Sequence, residues 1–532
     1  KTPPMSSFPW LTTLIVLPLL GAAVLWALPR PVARGELVYG PGVPAPGPRR
    51  TREVALGFAL VELVLTALAV VAFDTSDAGT VQLTETHSWI PAFGVSYALG
   101  VNGVGLVLVA MSALLVPLVV LAAWREQGSA AQASDRLRQY LALVLLLQAF
   151  IVAVFAARDL FFFYLVFEAM LIPVYFMIGG FGGRDGARRR YAAVKFLLYS
   201  LAGGLIMLIG VIVLYLHGPG GADGFLIDKL TGVALDPTIE KWLFVSFFVA
   251  FAIKAPMFPV HTWLPDAAEQ APAGTSTLLV GVLDKVGTFG MLTLCLPLFP
   301  NASRWVAPVI IVLAVVSILY GALLAIGQQD LFRMVAYTSV SHSGFIVLGI
   351  FAFTSTSISG SSFYMVNDGF STGALFLLVG FLAARRGSAR IDAFGGLQRA
   401  VPVLAGLFLV VGLSALALPG LSPFVSEILV LVGSFATQPV AAVVATLGVV
   451  LAALYILWLY QRAFTGPVTA GVETLPDASA RERWVVGPLV AVMLVLGFVP
   501  GPALNLVREP AQVTIDQVGA TDAPAVAEAS AQ

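Results

Sequence analysis

Apolar stretches of about 20 residues recur along the whole chain, and they decide the solvent in which it must fold. About fourteen can be read, near residues 10–29, 54–73, 99–124, 139–157, 159–181, 190–216, 241–262, 273–298, 305–326, 331–353, 362–384, 401–430, 436–461 and 484–502. Inside a bilayer each backbone N–H and C=O needs a partner within the protein, which leaves helices or a closed barrel. Stretches this long are helices. Only 11% of the 532 residues are charged, whereas a soluble protein carries about a quarter. The expected fold is therefore all-α: a polytopic membrane protein of about fourteen transmembrane helices. The first span, 10–28, has the length of a retained helix rather than of a cleaved signal segment.

Charge placement orients the spans. With the N-terminus outside, the inner loops hold 20 of the 29 Lys and Arg, among them Arg30, Arg34, Arg136, Arg138, Arg184, Arg188, Arg333, Arg385 and Arg481. Six fall outside (Lys1, Arg158, Lys229, Lys241, Arg304 and Arg508) and three lie within spans. The positive-inside bias thus places both ends of the chain on the outer side of the membrane.

Two spans are interrupted at similar places in the two halves. Lys254-Ala255-Pro256 is followed by Pro259 and Pro265, and Leu418-Pro419-Gly420 by Pro423 and Glu427. Proline removes a donor and clashes with the preceding turn, so both spans are expected to be broken helices. Paired breaks point to inverted repeats with a site at the break. The expected organisation is N-terminal helices over 1–138, a first five-helix repeat over 139–298 and a second over 305–464. A final transmembrane helix over 465–502 and a flexible tail over 503–532 complete it.

Three of the six lysines interrupt apolar runs: Lys195 in YAAVKFLLYS, Lys254 in FFVAFAIKAPMF and Lys285 in VGVLDKVGTFGML. A charge at mid-bilayer costs about 2.5–3.5 kcal/mol even on the most lenient scale, so it persists with a partner or for function. Glu168 and Glu427 sit in equally apolar surroundings. Desolvation weakens a lysine's hold on its proton and a nearby carboxylate strengthens it. Moving Glu168 relative to Lys254 would therefore load and unload a proton. The bland alternatives are a neutral Glu168 hydrogen-bonded by Tyr164 and a Lys254 that caps the broken helix. Lys285 reads as a relay, with the adjacent Asp284 about 100° away around the helix and free to serve a neighbour. Lys195 is only five residues from Arg190, so snorkelling to the interface competes with a relay role. His342, among Thr338, Ser339, Ser341 and Ser343, suits a hydrated proton wire. Asp368 is a second relay candidate with Asn367 and Ser371 in reach, and Glu427 is the last ionisable group before the outer side. Glu62 is read as reaching the membrane interface.

Other chemistries find little support. A net charge of zero leaves no basic surface for nucleic acid. Cys295 is the only cysteine, and four scattered histidines form no metal pattern. The glycine-rich GGFGGRDG at 179–186 follows no strand and is read as a loop.

The segments DLFFFYLVFEAMLIPVYFMIG, FAIKAPMFPVHTWLPDA, QQDLFRMVAYTSVSHSGF and LPGLSPFVSE carry a resemblance. Together they are similar to the antiporter-like membrane subunits of proton-pumping NADH–quinone oxidoreductase (respiratory complex I), most closely the subunit M branch. Glu427 selects that branch, since the sister subunits L and N usually place lysine there. The resemblance implies a non-redox subunit that moves protons outward through Glu168, Lys254, Lys285, His342 and Glu427, with Lys195 and Asp368 beside them. It implies no cofactor in this chain, with FMN, iron–sulfur clusters and quinone in other subunits. The implied partners are other membrane-arm subunits, the sister subunits L and N among them, and the lipid bilayer. Departures from the family pattern are Asp368 in place of a histidine, Phe332 in place of a lysine, Asn102 in place of an aspartate, and Ala268-Glu269 in place of a His-Ser pair. Rival readings are a subunit of a multisubunit cation/proton antiporter, a subunit of a membrane-bound hydrogenase, and a scaffold. The 23 Arg against six Lys suit a bacterial, G+C-rich source and hence a bacterial inner membrane.

Overall fold

The computed structural model describes residues 8–28, 48–125, 131–183 and 185–522; Arg30, Arg34, Arg184 and Lys1, used above for orientation, lie outside these. The chain is built of helices joined by short turns, with one hairpin. In order come α1 (Trp10–Ala27), α2 (Pro48–Ala72), strands β1 (Gln82–Ile90) and β2 (Val95–Val101), α3 (Gly103–Ala122) and α4 (Ala131–Ala156). Then follow α5 (Leu160–Ala169), α6 (Leu171–Phe181), α7 (Gly186–His217), α8 (Pro237–Lys254), α9 (Trp263–Gln270) and α10 (Ala273–Leu298). The second half holds α11 (Pro300–Ile326), α12 (Leu331–Phe351), α13 (Ser355–Arg386), α14 (Pro402–Ala415), α15 (Ser422–Thr437), α16 (Pro439–Phe464), α17 (Ala480–Phe498) and α18 (Gly501–Val518).

Among the described residues, eleven helices are long and apolar enough to cross a membrane, or twelve if α17 and α18, bent by 69°, count as one span. The expected fourteen are not reached on that criterion, and the shortfall lies largely at the breaks. Helix α8 carries Glu240, Lys241 and Lys254 within 18 residues, and the break shortens α14 and α15 to 14 and 16 residues. Aspartates start several helices: Asp159, Asp236 and Asp330 each accept hydrogen bonds from the first free backbone amides of α5, α8 and α12.

Both interruptions fall at the expected sequences. Helix α8 ends at Lys254, and the indole of Trp263 at the start of α9 donates to the carbonyl of Ile253 (2.9 Å), which the break leaves without a helical partner. Between α14 and α15, Ala417 and Gly420 take positive φ (58° and 96°), and the carbonyl of Ser422 accepts from the side chain of Asn367 (3.0 Å). A third irregularity has no proline to announce it. Leu279–Leu283 and Met291–Cys295 of α10 are π-helical and flank the turn that carries Lys285.

Helices α10, α12 and α13 are almost wholly buried, whereas α2, α7 and α16 keep most of their apolar surface outward, as helices facing lipid or another subunit do. The central three bring the polar residues together.

Two expectations are corrected. The β1–β2 hairpin occupies the connection between the spans read at 54–73 and 99–124, and its second strand takes the first residues assigned to the latter. Glu85 of β1 accepts the backbone N–H of Leu11 (2.8 Å) and pairs with the Thr12 hydroxyl, so it anchors the hairpin on the N-terminus of α1. The tail expected to be flexible from 503 is helical to Val518. Its Leu504, Val507, Ala511, Ile515 and Val518 form a buried stripe at helical spacing, which Pro510 and the polar composition disguise. A Cβ on Gly103 would lie 1.7 Å from the carbonyl oxygen of Leu506, so α18 lies directly against the start of α3. Residues 523–532 are outside the described part.

That contact yields a paired prediction. Gly103→Ala should force α3 and α18 apart and cost about 1–3 kcal/mol. Gly57→Ala, in the open middle of α2 with nothing within 4 Å of the new methyl, should be neutral or stabilising by about 0.4–1 kcal/mol. Thermal unfolding midpoints of the two purified variants in detergent check this.

Candidate functional site: a buried cluster around Lys285

Lys285 is 1% exposed, and its ammonium is fully occupied. It donates to Asp368 of α13 (2.6 Å), to the adjacent Asp284 (2.9 Å) and to the carbonyl of Val280 (3.1 Å). Three donors meet three acceptors. Asp284 thus pairs with its neighbour after all, and it also accepts from Ser339 of α12 (3.0 Å). The second oxygen of Asp368 accepts from Thr372 (2.7 Å) and lies 2.6 Å from Nδ1 of His342 on α12. On the far side of the imidazole, Nε2 is 3.4 Å from the hydroxyl of Tyr455 on α16.

Charge counting says what this cluster can do. Two carboxylates against one ammonium leave −1 when His342 is neutral, and one further proton brings the group to zero. An uncompensated buried charge is costly, and the imidazole of His342 is the group of the cluster that could carry that further proton. The same four side chains can therefore hold a proton and pass it between carboxylate and imidazole.

Glu427 lies on α15, 6% exposed, and accepts from the hydroxyl of Tyr364 (3.0 Å). The Tyr364 ring stands 5.9 Å from the His342 ring, so this tyrosine spans the distance between the two.

Glu168 and Lys254 lie close to each other without touching. Lys254 is 2% exposed, its Nζ sits 4.4 Å above the ring of Phe167, and no protein group hydrogen-bonds it. Glu168 Oε1 likewise has no protein partner. Their common neighbour is α7: a Cβ on Gly203 would meet Ile253, and one on Gly204 would lie 1.7 Å from Glu168 Oε1. Gly204 makes the room into which the carboxylate fits, and Gly203 lets α8 approach α7. The direct pair read from the sequence is thus an approach between two groups with no ion contact.

Lys195 joins a network apart from the cluster. It pairs with Asp266 of α9 (2.6 Å), which also accepts from Arg333 (2.7 Å), while Arg333 and Arg188 share Glu269 (3.0 and 3.1 Å). Arg188, Glu269 and Arg333 of this network, with Asp330, line a cavity of about 620 Å³. Glu269, a departure from the family pattern, ties α9 to α7 and α12.

Several participants were not singled out from the sequence. Tyr364, Thr372 and Asp266 each lie in a segment whose polar neighbours were noted and Tyr455 in an apolar span, but only the packing of helices shows which side chain turns inward. Thr372, four residues on, serves Asp368 in place of Ser371, and Asn367 turns instead to Ser422 and Ser426 (3.0 Å each). Of the hydroxyls around His342, only Ser339 reaches the cluster; Thr338 and Ser341 bond backbone carbonyls. Glu62 does not reach the interface. It is fully buried on α2, and neither carboxyl oxygen has a protein partner. Among the described residues, no group of three or more His, Cys, Asp or Glu is arranged to hold a metal ion.

Known proteins share this arrangement of helices. A family model described as "NADH:quinone oxidoreductase/Mrp antiporter, TM" matches residues 157–454. NADH-quinone oxidoreductase subunit M of Mycobacterium tuberculosis is 44% identical over 557 aligned residues, covering 98% of this chain and 97% of the relative. The protein of the same name from Rhodobacter capsulatus is 37% identical over 508, covering 93% and 94%. Among solved structures, a chain of respiratory complex I from Thermus thermophilus with bound NADH superposes with a TM-score of 0.83 at 30% identity, over 96% of this chain and 100% of that one. A chain of the Mrp complex from Dietzia sp. DQ12-45-1b reaches 0.81 at 23% identity over 96% and 99%, a likeness of fold.

The cluster makes a stability prediction independent of any activity. Lys285→Met leaves two facing carboxylates without their cation and should cost about 3–5 kcal/mol. Lys285→Met with Asp368→Leu removes the ion pair as a unit and should recover a large part of that loss. Unfolding of the single and double variants in detergent measures the difference.

Proposed function

The chain belongs to the NADH-quinone oxidoreductase subunit M family, and from that premise we propose that it is a proton-translocating membrane-arm subunit of such an enzyme and carries no redox step itself. Electron transfer from NADH to quinone, with its FMN and iron–sulfur clusters, then belongs to other subunits. The reading places the chain in a bacterial inner membrane beside other membrane-arm subunits, sister subunits L and N among them. The arginine bias puts the hairpin face and both chain ends outside. Residues 139–298 and 305–464 are proposed as inverted repeats, each containing a break.

On this proposal, quinone reduction elsewhere changes the spacing of Glu168 and Lys254. A separated pair with no hydrogen bonds to break is suited to that. As the carboxylate approaches, the ammonium is favoured; as it withdraws, the proton is released toward Lys285. The cluster accepts it as the extra proton that its charge requires, and passes it from Asp368 to His342. From there Tyr364 and Glu427 lead to the outer side. The Lys195–Asp266–Arg333–Glu269 network borders the inner cavity and is proposed as the entry region. The observation that carries the reading is the run of contacts from Asp284 through Lys285, Asp368 and His342 to Tyr455, with Tyr364 bridging toward Glu427.

A cation/proton antiporter subunit remains the second reading, since the matching family model includes Mrp antiporters. Mass spectrometry of what co-purifies from membranes separates the two: flavin and iron–sulfur subunits support the oxidoreductase, their absence with sodium-dependent transport the antiporter.

The direct test is proton pumping per NADH oxidised by the intact complex in vesicles. Lys254→Ala should lower it strongly while the complex still assembles, and full pumping would remove Lys254 from the mechanism. Glu427→Gln should do the same; loss of assembly instead would make the charge a scaffold, and full pumping would remove Glu427 from the path.

A further inference from the structure

The face that carries β1 and β2 holds a cavity of about 440 Å³, lined by polar groups that include Asn102, Arg158, Asp228, Thr231, Thr293 and Gln517. A smaller hollow of about 20 Å³, room for one water, shares Asn102, Arg158, Ile227 and Thr293 with it and reaches the buried Phe155, Phe163 and Phe289. The polar lining stops there. Phe289 is four residues beyond Lys285 on α10, on the same side of the helix one turn nearer the hairpin face.

These rings form two contacting groups, both of which line the small hollow. Phe155 of α4 meets Phe289 edge-to-face at 5.1 Å. Phe163 contacts Phe167 (5.9 Å) and Phe251 (6.1 Å), and Phe167 is the ring beneath the Lys254 ammonium. Phe251 is packed so closely on α10 that a Cβ on Gly290 would lie 2.4 Å from it. A polar cavity open toward one face thus ends on an aromatic wall, with both central lysines on the other side of it.

We infer that the cavity is a second outlet from Lys285, held shut by Phe155 and Phe289. Hydrophobic constrictions block ions by excluding water, and a hollow of about 20 Å³ among aromatic rings has no room for a conducting water chain. The inference rests on the proposed role of Lys285 as a proton carrier. It adds the reason why a proton there leaves by way of His342 and Glu427: the shorter route along α10, past Phe289 to Thr293, is dry. Without the wall, the cluster would equilibrate with the hairpin side whatever the state of Glu427, and pumping would leak.

The test is passive proton flux into vesicles that hold the intact complex, after an acid jump and without NADH, read by an enclosed pH dye. Phe289→Ala should raise the flux severalfold, and Phe289→Leu, which keeps the wall apolar and filled, should leave it at the wild-type level. Phe155→Ala opens the same wall from α4 and covers the case in which Phe289→Ala does not assemble. An assembled variant that oxidises NADH normally and shows wild-type passive flux overturns the inference. Because the measurement needs no pumping, it is independent of the Lys254 result: a rise in flux with full pumping by Lys254→Ala would keep the wall and remove the relay behind it.

Discussion

Two carboxylates, one ammonium and one imidazole share a space that water does not reach, and much of this structure serves to make that tolerable. Asp284, Lys285 and Asp368 are each about 1% exposed or less, and an ion pair so deep repays its desolvation only when every remaining lone pair and proton is matched. Thr372, Ser339 and the carbonyl of Val280 supply most of that matching, while Asp284 Oδ1, 2.9 Å from the Lys285 ammonium, has only that ion contact and no hydrogen bond. They come from three helices, so α10, α12 and α13 have to pack at close range, and this agrees with their being the most buried helices of the chain. The π-helical turns on either side of Lys285 locally alter the stacking of α10 at the point where its polar side chains must face two partners.

The Glu168–Lys254 pair follows a different rule. It lacks the hydrogen bonds that hold the Lys285 ammonium, and its surroundings include the Phe167 ring and Gly204. The hydrogen bonds of the cluster hold its side chains in place; a pair without them can change separation at little cost in hydrogen bonds. One chain thus presents a firm proton-holding site beside an adjustable one, the division of labour expected when movement at one end is to drive charge at the other. The aromatic wall on the hairpin side completes it by leaving one way out.

How far the sequence reached depended on the scale of the signal. Long apolar runs and proline breaks are local, so the helices and both interruptions were legible. Lys254, Lys285 and Glu427 stood out because an ionisable side chain in an apolar run is expensive wherever its partner lies. Partners were another matter. That Thr372 and not Ser371 serves Asp368 is decided by the rotation of α13, and that Asp284 folds back on Lys285 by the reach of a lysine stem. The hairpin was missed because β1 is half-exposed with little alternation to read, and α18 because Pro510 and its polar face masked an apolar stripe. Glu62 was misplaced since hydropathy along one helix says nothing of the helices packed around it.

The central claim is that Asp368 couples the lysine to the histidine. The most direct measurement is the number of protons moved per NADH oxidised by the reconstituted complex bearing Asp368→Asn, a change that keeps the shape of the side chain and removes its charge. The account predicts a clear fall in that ratio in a complex that still assembles and still oxidises NADH. An unchanged ratio would contradict it, and the buried cluster would then be a structural ion pair with no part in the path.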